Sequence, residues 1–267
     1  MSADPQEAVE TRAVLRDAKE GVVTLTLNRP GQFNSLSKAM ISELQSQLDA
    51  IGEDASVRAV VIAAAGKAFC AGHDLKEMRA NPAKQYQKAL FDRCSRMMLK
   101  LTEIPQPVIA RVHGIATAAG CQLVSMCDLA VAAEDARFAV SGINVGLFCS
   151  TPSVGLARNL GRKQAMEMLL TGDFIDARTA LARGLVNRVV SPERLDDEVR
   201  SLLDAILAKS AVAVGIGKRL FYQQIEQGMA AAYASASEAM ACNMIAEDAA
   251  EGIDAFMQKR KPQWRGR

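Results

Sequence analysis

Two short stretches place small residues where chemistry on an acyl group would need them. "GKAFCAGHDLKEM" covers residues 66 to 78 and "HGIATAAGCQL" covers 113 to 123. Each follows a run with strand character and leads into helical sequence. A bend of glycine and alanine lets main chain approach a ligand closely. Its N–H groups, at the start of a helix, can face developing negative charge. In open α/β sheets, ligands bind at the carboxyl ends of strands, where such bends occur. Two bends giving one N–H each would form a hole for the oxygen of a thioester enolate. The same residues also suit plain packing of strand against helix, and spacing alone leaves both readings open.

Side chains near these bends offer little acid–base chemistry. The helix after the second bend carries Gln122 in its first turn, where a carboxylate would be the usual proton carrier. Cys149 and Ser150, in "GLFCSTPS", are candidates for a nucleophile or base, set against a small buried cysteine. His73 has a titratable ring, but its backbone N–H is the expected contributor, with the ring toward ligand or solvent. His113 reads as structural, and Asp74 as a residue that fixes its own loop. Gln122 or Asn144 could orient a water, because a carboxamide both donates and accepts. Asp128 and Glu134 flank a strand and read as a cap and a solvated end.

The elements that must position these residues are legible in the hydrophobic pattern. "GVVTLTLNRP", "RAVVIAAAG", "PVIARVHG" and "DLAVAAED" are near-continuous apolar runs. Alternating with helices, they predict a mostly parallel sheet covered on both faces. "SLSKAMISELQSQLDAIG" puts Met40, Ile41, Leu44, Leu48 and Ile51 at helical spacing, with Ser37 as N-cap and Gly52 as stop. After about residue 152 the pattern is helical. "DARTALARGLVNRVV" reads as an Asp-capped helix, a glycine stop and a short strand. "SPERLDDEVRSLLDAILAKS" places Pro192 at a first helical position. The predicted division is a core to about 195 and a helical remainder. The alanine and methionine surfaces of that remainder suit burial against a neighbouring subunit.

Composition removes several function classes. The 267 residues carry a formal net charge of only +2, with the one basic run "KRKPQWRGR" at the end, so a nucleic-acid role has little support. Six cysteines form no CxxC and there are two histidines, which argues against a zinc site. No apolar run approaches the roughly 20 residues of a membrane span. The polar start "MSADPQEAVETRAVLRDAKEG" has no signal-peptide character, and the expectation is a cytoplasmic protein.

These stretches also carry a family resemblance. "NRPGQFNSLSKAM", "AGKAFCAGHDLKEM", "PVIARVHGIATAAGCQLVSMCDLAVAAEDARFA", "LTGDFIDARTALARGLVNRVV" and "EGIDAFMQKRKPQW" stand in that order. Together they resemble the crotonase, or enoyl-CoA hydratase/isomerase, superfamily over about residues 11 to 264. The pairing of "TAAGCQL" with "NVGLFCSTP" resembles one subgroup within it. The resemblance implies an α/β fold, a crotonase-like spiral of ββα repeats over residues 1–195 that binds acyl-CoA. It implies a helical C-terminal trimerisation region over 196–267, in a homotrimer or dimer of trimers. The ligand is then a coenzyme A thioester of fatty acid metabolism, with no metal or redox cofactor. The implied oxyanion donors are the amides of His73 and Ala119, with Gly120 opening the helix behind. Coenzyme A would lie along Gln32, Phe33, Ala68, Cys70, Gly72, Asp74 and Leu75, and Lys259 would reach its phosphates.

The chain departs from the family at the reacting centre. Hydratases of the family use two glutamates, and the matching positions here are Gln122 and Gly142. A carboxamide takes no proton at neutral pH, and a positioned acid or base is worth about 10²–10⁴-fold in rate. Enoyl-CoA hydratase is the family-level activity implied. A non-catalytic acyl-CoA-binding protein, or thioester hydrolysis through Cys149, are the alternatives.

Overall fold

The computed structural model describes residues 12–267. The first eleven residues of the polar N-terminal segment lie outside the described residues. The four apolar runs form the centre of one sheet. β1 (Val14–Lys19), β2 (Val22–Leu27), β3 (Ala59–Ala64), β5 (Val108–Val112), β7 (Leu129–Ala133) and β10 (Arg188–Val190) lie in the order β1-β2-β3-β5-β7-β10. β1 pairs antiparallel with β2, and the other neighbours are parallel. The expected single sheet is joined by a second. β4 (Ala68–Cys70), β6 (Ile115–Thr117), β8 (Arg137–Ala139) and β9 (Ile175–Asp176) pair in that order. Strands of two or three residues leave no readable period, which is why the residue pattern did not predict them.

The chain visits the two sheets in alternation. β3 leads to β4, β5 to β6 and β7 to β8, and each pair is followed by helix, which is the ββα spiral the resemblance implies. α1 (Lys38–Gly52) starts where Ser37 Oγ accepts the Met40 N–H at 3.2 Å and buries the five predicted apolar residues. α2 (Leu75–Ala80), α3 (Lys84–Glu103) and α4 (Ala119–Met126) follow the two bends. Alternate residues of the large sheet face opposite ways. Leu25, Val60, Ile62 and Val108 face a core shared with α1, α3 and the small sheet's Phe69 and Phe138. Val61, Ala63, Ile109 and Val131 face the other side.

After β8 the chain forms a 3₁₀ segment (Ser141–Val145), then α5 (Ser150–Asn159) and α6 (Arg162–Thr171). Asp176 Oδ1 accepts the Thr179 N–H at 2.7 Å and caps α7 (Ala177–Ala182), as the sequence predicts. Pro192 opens a 3₁₀ turn rather than the helix itself, and α8 (Leu195–Leu207) begins three residues later. Leu195, Val199 and Leu203 of α8 cover the second face of the large sheet.

α9 (Ala211–Gln224), α10 (Met229–Met244) and α11 (Glu247–Met257) complete the chain. One buried cluster ties α9 to the core. Asp128, just before β7, accepts from the Val108 N–H at 2.6 Å and the Tyr222 hydroxyl at 2.8 Å, and pairs with Lys218 Nζ at 2.7 Å. Asp128 is thus a tertiary anchor rather than a cap. Burial lowers the Lys218 ammonium pKa, while Asp128 opposes that shift. Outward, these helices expose Met229, Tyr233, Met240, Ile245 and Phe256. Among the described residues no helix is long and apolar enough to cross a membrane.

Candidate functional site

The two bends meet. After β4 the chain turns through Ala71, Gly72 and His73, and the turn is pinned to the segment before α1. The Ala71 N–H donates to Phe33 O at 3.0 Å, and the Leu36 N–H donates to Gly72 O at 2.8 Å. That segment is locked by Asn34, which is fully buried at a left-handed φ of 54°. Its Nδ2 donates to Ala65 O and Ala68 O, both at 2.8 Å, and its Oδ1 accepts the Arg29 N–H at 2.8 Å. Sequence reasoning passed over Asn34. An asparagine after "PGQF" is a residue type that tolerates left-handed backbone, and that was the available signal.

Gly72 has a φ of +91°, and a Cβ there would lie 2.8 Å from the Ala118 Cβ and 3.3 Å from the Ala119 nitrogen. A Cβ on Gly120 would lie 2.1 Å from Cys70 O. Both glycines are therefore required by close approach of the bends. Ala118 sits at φ 50°, ψ −119°, a backbone conformation costing on the order of 1–3 kcal/mol for a residue with a side chain. Its own N–H donates to Ala139 O at 3.0 Å. The amides of His73 and Ala119 have no main-chain acceptor among the described residues.

Both residues line a cleft of about 510 Å³. Leu75 and Met78 of α2, Phe91 of α3, and Leu147, Phe148 and Pro152 give it large apolar lining side chains. Its polar side chains are few, and among the described residues no aspartate or glutamate lines it. A more open hollow of about 930 Å³ lies alongside, bordered by Arg29, Gln32, Lys38, Asp74 and Glu77.

The remaining predicted positions fall as follows. The His73 ring meets Phe91 edge-on at 5.3 Å, and its Nε2 is buried with no hydrogen-bond partner among the described residues. Burial lowers its pKa to about 4, with Glu77 opposing, and the imidazole is neutral at pH 7. Gln122 is buried, and its Oε1 has no hydrogen-bond partner among the described residues. A Cβ on Gly142 would lie 2.6 Å from Leu147 O and 2.8 Å from Cys149 Sγ. Cys149 lines the cleft, and its thiol donates to Val140 O at 3.4 Å. Burial raises its pKa, so thiolate is scarce at neutral pH.

Phe33 and Gln32 are exposed beside the first bend, and Leu75 is exposed on the cleft. Ala68 and Cys70 are buried in β4, which leaves only their main chain for a ligand. Burial pushes the Cys70 thiol up to about 12. Asp74 caps α2 through the Lys76 and Glu77 N–H groups and pairs with Arg29 at 3.5 Å, so it fixes its loop as predicted. His113 Nε2 meets Gly66 O at 2.8 Å, also a structural role. Asn144 is exposed, and Glu134 pairs with Arg178 at 3.1 Å. Lys259 is exposed after α11 and does not line the cleft of a single chain.

Comparison with known proteins places this geometry. The Enoyl-CoA hydratase/isomerase family model matches residues 17–267. The chain belongs to this family. Its relatives include the rat (Rattus norvegicus) mitochondrial enoyl-CoA hydratase domain-containing protein 3, 42% identical over 96% of this chain and 85% of the relative. The crystal structure of an enoyl-CoA hydratase from Mycobacterium smegmatis is 61% identical, with a TM-score of 0.93 over 94% of this chain and 98% of that one. The human enoyl-CoA hydratase domain-containing protein 3 structure is 43% identical, with a TM-score of 0.92 over 95% and 100%. The subgroup resemblance of "TAAGCQL" with "NVGLFCSTP" is to this domain-containing type, within the enoyl-CoA hydratase/isomerase family.

One expectation is corrected here. The rat, mouse, frog, human and zebrafish relatives are all named mitochondrial, which overturns the cytoplasmic assignment. That assignment rested on a polar N-terminal segment without signal-peptide character and on a reducing environment, and a reducing environment does not single out one compartment.

Proposed function

We propose that this protein binds an acyl-CoA thioester in the 510 Å³ cleft and acts on it as an enoyl-CoA hydratase-family enzyme. The thioester oxygen is held between the amides of His73 and Ala119. The observation that carries this reading is the pair of main-chain N–H groups on one cleft, neither with a main-chain acceptor among the described residues. Two such donors draw electron density toward the carbonyl oxygen and make the β-carbon of an enoyl group electrophilic. Each donor of this kind is worth on the order of 3 kcal/mol in transition-state stabilisation. The coenzyme runs past Gln32, Phe33 and Leu75, held by the main chain at Ala68, Cys70, Gly72 and Asp74. Lys259 reaches its phosphates from a neighbouring subunit of a trimer or dimer of trimers. The exposed Met229, Tyr233, Met240 and Phe256 support that assembly.

With no side-chain carboxylate on the cleft among the described residues, turnover rests on polarisation of the carbonyl, and ordinary hydration is slow. The test is crotonyl-CoA hydration, followed by loss of enone absorbance, beside calorimetry with the same ligand. Hydration above buffer with saturable binding supports the reading, and no binding overturns it. Saturable binding with no turnover selects the second reading, a non-catalytic acyl-CoA-binding protein, which the carboxylate-free cleft favours. Thioester hydrolysis by Cys149 is disfavoured, because that thiol is protonated and already donates to Val140 O.

A further inference from the structure

The cleft carries a titratable ring that polarisation of the carbonyl does not use. Of the side chains lining it among the described residues, only those of His73 and Cys149 can exchange a proton with a ligand. The Cys149 thiol already donates to Val140 O, and burial keeps it protonated. Ser141 is also committed, its Oγ bonded to Thr117 Oγ1 at 2.8 Å. The His73 ring is free. Its Nε2 is sealed from solvent beside Phe91, with no hydrogen-bond partner among the described residues. Nδ1 has no partner among them either, but it is not sealed, and the cleft is the opening that His73 lines. Nδ1 is therefore the ring atom on the cleft side. Four bonds separate it from the His73 amide nitrogen, which limits their distance to about 5 Å. The α-carbon of an acyl-CoA is two bonds from the thioester oxygen that this amide would hold. Ring atom and α-carbon thus fall in the same part of the cleft.

We infer that the His73 imidazole is the proton carrier of this cleft, its Nδ1 taking the α-proton of a bound acyl-CoA in place of the carboxylates absent at Gln122 and Gly142. This role rests on the acyl-CoA reading and adds a base to it. The step is a proton transfer without change of oxidation state. The α C–H bond breaks, its electron pair moves to the thioester oxygen between the His73 and Ala119 amides, and an N–H bond forms at Nδ1. The new ring proton exchanges with solvent, and reversal returns a solvent proton to the same carbon. The ring's surroundings suit the task. Burial lowers its pKa to about 4, and Glu77 on α2 is the charged group that opposes this. Phe91 on α3, the second bend at Ala118 and Ala119, and Leu147 and Phe148 bring no charge to it, and Cys149 is protonated. A value of about 4 is that of an ordinary glutamate, so the neutral ring matches the basicity of the carboxylates it replaces. As a neutral base it also places no charge in an apolar cleft before the ligand arrives.

The test is deuterium exchange on the full chain with saturating butyryl-CoA in deuterium oxide, read by the mass of the recovered thioester, beside calorimetry with the same ligand. The expected result is deuterium at the α-carbon faster than in buffer, reduced by about 10²-fold in His73→Phe and in His73→Gln. Both variants keep the residue 73 amide and are expected to bind butyryl-CoA still. Exchange at the buffer rate with butyryl-CoA bound overturns the inference. So does exchange that survives both substitutions, or that falls only in proportion to the ligand bound. Nitrogen NMR of the ring gives a second readout, because the chain has only two histidines and His73→Phe identifies the signals. The carrier needs its resting proton on Nε2 and the lone pair on Nδ1. A resting proton on Nδ1 overturns the role. If butyryl-CoA itself fails to bind, it is the acyl-CoA reading that falls.

Discussion

Gly120→Ala adds one methyl group at the point where the two bends touch. The new Cβ would lie 2.1 Å from Cys70 O and 2.8 Å from the Cys70 carbonyl carbon, both main-chain atoms of a buried strand. Neither can swing aside as a side-chain tip would. Relief to an ordinary contact of 3.4 Å requires α4 and β4 to separate by about 1.3 Å at this point. Overpacking of this kind costs roughly 1–3 kcal/mol, which lowers Tm by several degrees in a chain of this size. The functional effect is larger than the stability effect suggests. The Ala119 amide rides on α4 and the His73 amide follows β4, so the separation opens the gap between the two donors. A misplacement of about 1 Å can cost 10²-fold in rate. The expected outcome is a folded variant with a native far-UV spectrum, a reduced Tm and at least tenfold weaker acyl-CoA affinity by calorimetry. A Gly120→Ala variant with unchanged Tm and unchanged affinity would refute the idea that contact between the bends sets the donor geometry.

Other substitutions probe separate parts of the molecule. Asp128→Asn leaves the Lys218 ammonium buried without its carboxylate and should cost roughly 3–5 kcal/mol; proteolysis should release α9 to α11 first, and Asp128→Asn with Lys218→Met should recover part of the loss. The His73 imidazole is held near 4 by burial, below its unfolded value of about 6.5, so the unfolded state binds more protons between those values. Its contribution of up to about 3 kcal/mol is present above pH 6.5 and is lost as pH falls through 4, and denaturant midpoints in His73→Phe should vary less across that window. Gln122→Glu should raise crotonyl-CoA hydration by about 10²-fold by restoring one proton carrier, whereas Gly142→Glu should lower Tm without gain, because its Cβ has no room. Equal gains from the two glutamates would contradict the crowding at residue 142.

What the sequence revealed depended on length of signal. β3 is buried throughout and β2, β5 and β7 largely so, and each is written as a near-continuous apolar run, interrupted only by Thr24, Thr26 and Arg111. α1 announces itself through five apolar residues at helical spacing and a serine cap. β1, with the sequence VLRDAK, is an edge strand whose charged residues face solvent, and it reads as surface chain. β4, β6 and β8 are three residues each and exist only through their pairing partners. At the cleft, the small residues of both bends were visible, but the contact between Gly72 and Ala118 links two bends far apart in the chain and no local pattern encodes it. Asp128 meets Tyr222 across 94 positions, so its anchoring role was equally hidden. The state of Cys149 was unreadable because burial, opposed by a hydrogen bond from the Gly142 backbone, rather than the residue type, sets its pKa.

The packing around Gly142 also bears on how this cleft can change over generations. Any side chain at that position must first displace the Leu147 carbonyl, so adaptation there has a required order: the backbone between 142 and 149 shifts, and only then is a second acid accommodated. Random libraries varied at 142 alone would return the parent glycine. Libraries that also vary 147 to 149 are where a two-acid catalyst can be recovered from this ancestor.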